Sequence, residues 1–231
     1  LRGDIDGIAT APLQKEALKK GGCPHMDHTA ILKAQTQAEV STTLFWVQNL
    51  RVFFLTRHLA LRDVSKMITK ETVYEGIKTC IRHLEQLGLK NPKLAVAALN
   101  PHGGEEGMMG DEEIREIRPA VEMAQKEKLQ AEGPIPADSV FHLANEGHFD
   151  GVLSLYHDQG HIATKTLDFH KTVSFTMGLP FLRTSVDHGT AFNIAGKNIA
   201  SEISMVEAIR MAVQYAGIIR SASSGSYKSG K

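Results

Sequence analysis

Cysteine is scarce. Cys23 and Cys80 are the two in 231 residues, too few for a disulfide framework. Net charge is absent as well, Lys+Arg 26 against Asp+Glu 26, and no basic block stands out, so polyanion binding and nucleic-acid partners are disfavoured. No apolar run reaches membrane-spanning length and no secretory segment is visible, so no membrane association and a reducing cytoplasm are expected. The G-x-G-x-x-G fingerprint of dinucleotide-binding turns occurs nowhere. What the chain does have, 42% hydrophobic and 23% charged residues, is enough to bury a full core as one large domain or two small lobes. A small-molecule site requires none of the missing features.

Strand and helix signals alternate. Ile5 to Thr10 reads as the end of a buried strand, and a start at Leu1 without methionine suggests a missing upstream segment. Leu13 to Lys20 reads as a short helix stopped by Gly21-Gly22, and a second helix follows His28-Thr29. Thr72 to Leu87 is amphipathic through Val73, Ile77, Ile81 and Leu84, with Thr72 and Glu75 as a capping box and Gly88 as the stop. Glu112 to Lys126 repeats the period, with Pro119 as a possible kink. A last helix is expected from Ser204, capped with Glu207, to about Ile219. The serine- and glycine-rich tail, 221–231, is expected to be disordered. Apolar strands separated by amphipathic helices predict an α/β fold with a mainly parallel sheet.

Four polar clusters close apolar runs: Thr56-Arg57-His58-Leu59, Asn100-Pro101-His102-Gly103-Gly104-Glu105, Tyr156-His157-Asp158-Gln159-Gly160-His161, and Ser185-Val186-Asp187-His188-Gly189-Thr190-Ala191. The runs before them are Val52 to Leu55, Leu94 to Leu99, Val152 to Leu155 and, slightly upstream, Val173 to Met177. Open α/β sheets gather functional loops at the carboxyl ends of their strands, so these histidines are expected to converge. Neutral imidazole is a common metal ligand, and three from different loops hold a divalent ion with positions left open for substrate. Spacing alone leaves open whether His58, His102 and His157 do this or pack beneath their loops. His25, His83, His142, His148 and His170 are read as packing residues. Lys165 and Arg183 near such a metal suit an anionic substrate, since a guanidinium fork grips carboxylate or phosphate.

The run His188-Gly189-Thr190-Ala191-Phe192-Asn193-Ile194-Ala195-Gly196-Lys197 resembles the adenosine-binding loop of the isocitrate and isopropylmalate dehydrogenases. Together with Asn-Pro-His-Gly-Gly-Glu, Tyr-His-Asp-Gln-Gly and Leu-Arg-Thr-Ser-Val-Asp-His-Gly-Thr-Ala, it resembles the 4-hydroxythreonine-4-phosphate dehydrogenase family, from Asp4 to about Gly217.

The resemblance implies an isocitrate/isopropylmalate dehydrogenase-like α/β fold with two lobes around a central cleft. Residues 1–22 and 158–220 would form a cofactor-binding lobe, incomplete at its N-terminus, and 23–157 the metal, substrate and dimerisation lobe. It implies that His58, His102 and His157 bind zinc, or nickel, cobalt or magnesium, at a homodimer interface, with His58 and His102 of one subunit meeting His157 of another. His28, Thr29, Lys165, Ser174 and Arg183 match substrate positions, with Asp27 in place of a glycine and Ser174 in place of an asparagine. His188, Gly189, Thr190, Ala191 and Asn193 match the NAD loop, with Asn193 where aspartate is usual.

The expected reaction is NAD-dependent oxidation and decarboxylation of a phosphorylated four-carbon hydroxy acid, with Lys165 and Asp158 as proton-transfer candidates. The Ser174 exchange and the wording of the His157 segment favour the branch acting on D-threonate or D-erythronate 4-phosphate over the vitamin B6 branch, which acts on 4-hydroxythreonine 4-phosphate. A relative acting on aromatic cis-dihydrodiol carboxylates is a third possibility. The alternative to an enzyme is a shortened, non-catalytic metal- and phosphoester-binding relative or partner subunit.

Overall fold

A computed structural model describes residues 4–38 and 41–226. In chain order its elements are β1 (Gly7–Thr10), α1 (Lys15–Lys20), α2 (His28–Thr36), β2 (Thr42–Val47), β3 (Leu50–Phe54), α3 (Leu61–Met67), α4 (Lys70–Gln86) and β4 (Leu94–Ala97). Then follow α5 (Arg118–Lys126), β5 (Ala131–Ile135), α6 (Ala137–Asn145), β6 (Gly151–Ser154), α7 (His157–Leu167), β7 (Val173–Met177), β8 (Leu182–Val186) and α8 (Ile203–Ser226). The chain packs as two units, Leu1–Leu44 with His170–Lys231, and Phe45–Phe169. The sequence reading divides it after residues 22 and 157 instead. The difference has a local cause in each case: His28 of α2 lies in the field of Arg183, and α7 is seated on β3 through Gly160.

In the first unit β1 pairs parallel with β8, and β8 antiparallel with β7. Strand residues alternate between faces, so the registers sort this sheet chemically. Gly7, Ala9, Phe175, Leu182 and Thr184 share the face that receives α8, where Thr184 donates to the Ala208 carbonyl at 2.8 Å and Gly7 leaves room for Ala216. Thr10, Ser174, Thr176, Arg183 and Ser185 share the opposite face. Arg183 is thus a strand residue, not the loop residue that its glycine- and proline-rich flank suggests.

In the second unit the strand order is β2-β3-β6-β4-β5, and the β3–β6, β6–β4 and β4–β5 pairs are parallel. Leu50, Val52, Phe54, Ala95, Ala97 and Val152 meet Val140 and Ala144 of α6 on one face. On the other face α4 comes so close that a Cβ on Gly76 would lie 2.9 Å from Leu55 and 3.1 Å from Leu153. Helices therefore cover both faces, as parallel strands buried on both sides require. Among the described residues no helix is long and apolar enough to cross a membrane.

Two expected caps are displaced. α4 starts earlier than read, because Thr69 and Thr72 cap each other reciprocally and Glu116 accepts a bond from the Lys70 N–H at 2.7 Å. Its end is as expected, with Gly88 at φ 91° and the Leu89 N–H reaching back to Leu84. α8 starts one residue before Ser204, whose hydroxyl is taken by the His170 carbonyl at 2.8 Å, so no capping box forms with Glu207. The backbone of 221–226 continues α8 where disorder is expected, and 227–231 lie outside the described residues.

Candidate active site

Parallel pairing puts the exits of β3, β6 and β4 side by side, with β6 in the middle. Leu55 and Thr56 continue the ladder onto Ser154 and Leu155, and the Thr56 hydroxyl adds a bond to the Leu155 carbonyl at 2.7 Å. This brings the His58 and His157 rings to 6.0 Å between centroids. His157 opens α7, and its Nδ1 is 2.6 Å from the Asp158 carboxylate. A carboxylate on Nδ1 fixes the ring so that Nε2 presents its lone pair, the usual support for a metal-binding histidine. Asp158, expected to move protons, is here the partner that orients His157.

Gln159, which the sequence reading leaves without a role, is buried. It accepts from the Leu155 N–H at 2.7 Å and donates to the Ala98 carbonyl at 2.8 Å, tying the exit of β6 to that of β4. Beyond β4 the chain makes an unusual turn. His102, Gly103, Gly104, Glu105 and Glu106 all have positive φ, between 45° and 83°. Non-glycine residues resist this conformation, so tertiary contacts must hold it. Glu113, fully buried, accepts from the Leu99 and Asn100 N–H groups at 2.7 Å each and from the Asn100 side-chain amide at 2.8 Å. Gly104 packs under this carboxylate, where an added Cβ would lie 2.7 Å from the Gly110 carbonyl.

His102 is exposed on that turn. Within one chain it is His58 and His157 that approach each other, and among the described residues no three His, Cys, Asp or Glu side chains stand in metal-holding geometry. Two imidazoles at this separation, one of them oriented by a carboxylate, fit a divalent ion as part of its donor set.

The anion-binding candidates of the first unit lie on its polar face. Arg183, 8% exposed, donates through Nε and Nη2 to the Thr10 hydroxyl at 3.0 and 2.7 Å, and through Nη1 to Thr176 at 3.0 Å. Ser174 lies two residues along β7 from Thr176, opposite Ser185. Among the described residues no carboxylate forms an ion pair with Arg183. Asp27 acts on it only through its field, and burial pulls the guanidinium below its ordinary pKa. Asp27 caps α2, accepting from the Ala30 N–H at 2.8 Å. His28 and Thr29 form the first turn. Burial, then the Arg183 charge, lower the His28 pKa, against a smaller opposing pull from Asp27.

Lys165 sits on α7 of the second unit, two turns beyond His157, with its ammonium 5.5 Å from the Phe169 ring centre. His188, Gly189, Thr190, Ala191 and Asn193 form an exposed to half-buried loop after β8. There His188 Nδ1 is 2.9 Å from the Gly189 carbonyl, and Ala191 has φ 49°. Nothing approaches a Cβ built on Gly189, and Phe192 is 63% exposed, a composition that fits close approach of a flat ligand. The sequence shows neither Thr10, 173 residues from Arg183, nor Thr176, seven residues away but across the β7–β8 pair, as its partner.

An α/β architecture with such strand exits is that of the isocitrate dehydrogenase-like fold. The structure superposes on isocitrate dehydrogenase from Methylococcus capsulatus with TM-score 0.53 at 13% identity, over 93% of this chain and 68% of that one. More specifically, residues 1–212 match the family described as pyridoxal phosphate biosynthetic protein PdxA, and the chain belongs to that family. A Clostridium botulinum relative bearing the provisional name D-threonate 4-phosphate dehydrogenase is 56% identical over 92% of this chain and 64% of its own length. A Halalkalibacterium halodurans relative of the same name is 55% identical over the same shares. The 4-hydroxythreonine-4-phosphate dehydrogenase structure from Klebsiella pneumoniae aligns with TM-score 0.83 and 42% identity, over 91% of this chain and 63% of that one. The chain thus spans a little under two thirds of the relatives it matches.

Proposed function

We propose that this protein oxidises and decarboxylates a phosphorylated four-carbon hydroxy acid, D-threonate 4-phosphate foremost, using NAD and a divalent metal. The observation that carries this reading is Arg183. A buried guanidinium held by hydroxyls alone keeps unspent positive charge, and burying such a charge is costly unless an anion joins it. The first turn of α2, with His28 and Thr29, adds a helix N-terminus that favours a phosphate. Ser174 offers that site a hydroxyl in place of the amide that an amino-bearing substrate would engage. The names of the 55–56% identical relatives support the same branch.

In place of the expected pairing of His58 with His102 on one subunit, His58 and His157 would hold the metal on one chain, because their rings approach to 6.0 Å there, with His102 of a second copy completing the site and a homodimer as the working unit. When bound, the metal would supply charge stabilisation for the reacting oxygens, and NAD would supply the hydride acceptor. Asp158 holds the His157 ring, and Lys165 would bind the carboxylate or pass a proton. The loop His188 to Asn193 holds the nucleotide.

Steady-state assays with D-threonate, D-erythronate and 4-hydroxythreonine 4-phosphates test the substrate. Arg183→Met should lower kcat/KM for the preferred one at least 100-fold, or about 2.7 kcal/mol. Clear preference for the amino-bearing compound sinks the branch assignment. Binding of these phosphates without turnover points instead to a non-catalytic relative. For the assembly, mixing inactive His102→Ala and His157→Ala chains should restore activity, because one of the two shared sites regains every ligand.

A further inference from the structure

α7 carries a second histidine one turn after His157. His161 is 8% exposed, with its ring 4.1 Å from that of His157 and walled by Phe45 at 4.3 Å and Phe54 at 4.7 Å. Its Nδ1 is enclosed and makes no hydrogen bond. Its Nε2 is not enclosed, and the residue lines an open depression of about 410 Å³ with His157, Asp158, Ile162, Lys165 and Thr166. The two nitrogens thus meet different surroundings. A neutral imidazole has one N–H and one lone pair, and a stranded buried donor is the rarer and costlier fault. The proton belongs on Nε2, and Nδ1 keeps its lone pair against the aromatic wall.

We propose that His161 is a specificity residue: a fixed N–H donor that binds an oxygen at the carboxylate end of the substrate, between His157 and Lys165. This deepens the hydroxy-acid dehydrogenase reading and rests on it. His157, His161 and Lys165 recur every four residues along one face of α7, so the helix presents a metal-binding nitrogen, an N–H donor and a cation in a row. Asp158 is the acidic member of the depression, and its carboxylate is engaged by His157. The packing of Phe45 and Phe54 limits ring rotation, so the donor is held in place before substrate arrives.

Two substitutions separate this role from packing. His161→Phe keeps an aromatic ring in the wall and removes the donor. His161→Gln returns an N–H near the Nε2 position and fits the wall poorly. With zinc-loaded dimer and D-threonate 4-phosphate in calorimetry, His161→Phe should weaken binding at least tenfold, while His161→Gln stays within about threefold of the parent. Zinc content by elemental analysis should match the parent in both. Parent-like affinity in His161→Phe overturns the proposal, as does joint loss of zinc in both variants, which would make His161 a ligand. A parent that binds no D-threonate 4-phosphate defeats the dehydrogenase reading instead. In that case the imidazole nitrogen spectrum of histidine-labelled parent still decides, with His161 assigned through its contacts to Phe45 and Phe54. An Nε2–H tautomer upholds the donor, and an Nδ1–H tautomer overturns it.

Discussion

Replacing Glu113 by alanine should loosen the His102 turn without touching His102. The carboxylate accepts three bonds, two from backbone N–H groups and one from an amide, all at 2.7 to 2.8 Å. Bonds to a charged acceptor contribute roughly 1.5–3 kcal/mol each, and a buried donor left without a partner costs about 1–3 kcal/mol. Leu99 and Asn100 are half-buried, so water can reach them in part, and relief from burying the charge offsets some of the loss. A net destabilisation of about 2–4 kcal/mol is expected. The turn it braces holds three non-glycine residues, His102, Glu105 and Glu106, at positive φ, each disfavoured by about 1–2 kcal/mol. Without the brace the turn should open locally as well. Urea denaturation measures the first effect as a lower midpoint at unchanged slope. Amide exchange at Met109, whose N–H bonds the Gly104 carbonyl at 3.0 Å, measures the second. Glu113→Gln keeps one oxygen for the backbone donors but sets its NH2 against the Asn100 amide, for a smaller loss of about 1–2 kcal/mol. An alanine variant within 0.5 kcal/mol of the parent, with Met109 still protected, would refute the bracing role.

Gly160→Ala should destabilise by about 1–3 kcal/mol, since the new Cβ would lie 2.6 Å from Phe54 and 2.7 Å from Val52 in a packed contact. Calorimetric melting reads this, and an unshifted midpoint would mean α7 is not seated on β3. His83 is fully buried, with its pKa lowered to about 4 by burial. The unfolded chain takes up this proton near pH 6.5 and the folded one only near 4, so stability falls as pH drops through that window, by about 3 kcal/mol at most. His83→Phe, stacked as His83 is on Phe53, should flatten that acid limb in urea titrations at pH 4 to 7, and an unchanged limb would show that His83 is not its source.

The strands that position the histidines were legible because buried parallel strands are short apolar runs, and the residue after each run lands at one end of the sheet. Partnerships between those ends were not legible. Thr69 displaced Thr72 as the cap of α4 because Glu116, 46 residues away, accepts from the next N–H. Ser204 reads as a cap in isolation, and only the distant His170 carbonyl shows why it is not. The left-handed run at Glu105 and Glu106 contradicts local preference, and Glu113 makes it tolerable from outside. Arg183 reads as a loop residue because Gly178 and Pro180 mark a turn, whereas the turn serves to fold β8 back along β7. Of its hydroxyl partners, Thr176 lies across that same turn and Thr10 comes from a strand 173 residues away.

The position of Arg183 has a consequence for how an anion would be felt. Counter-ions in buffer screen charges that face water over about 8–10 Å at physiological ionic strength, and screen buried ones far less. A surface cluster of lysines would lose its grip on phosphate as salt rises. Arg183, 8% exposed and fixed by Thr10 and Thr176, would hold a ligand in a place where mobile ions have little room to compete. Attraction at such a site is weak at long range and strong on contact. It would do little to draw substrate in from solution and much to keep it once it has arrived.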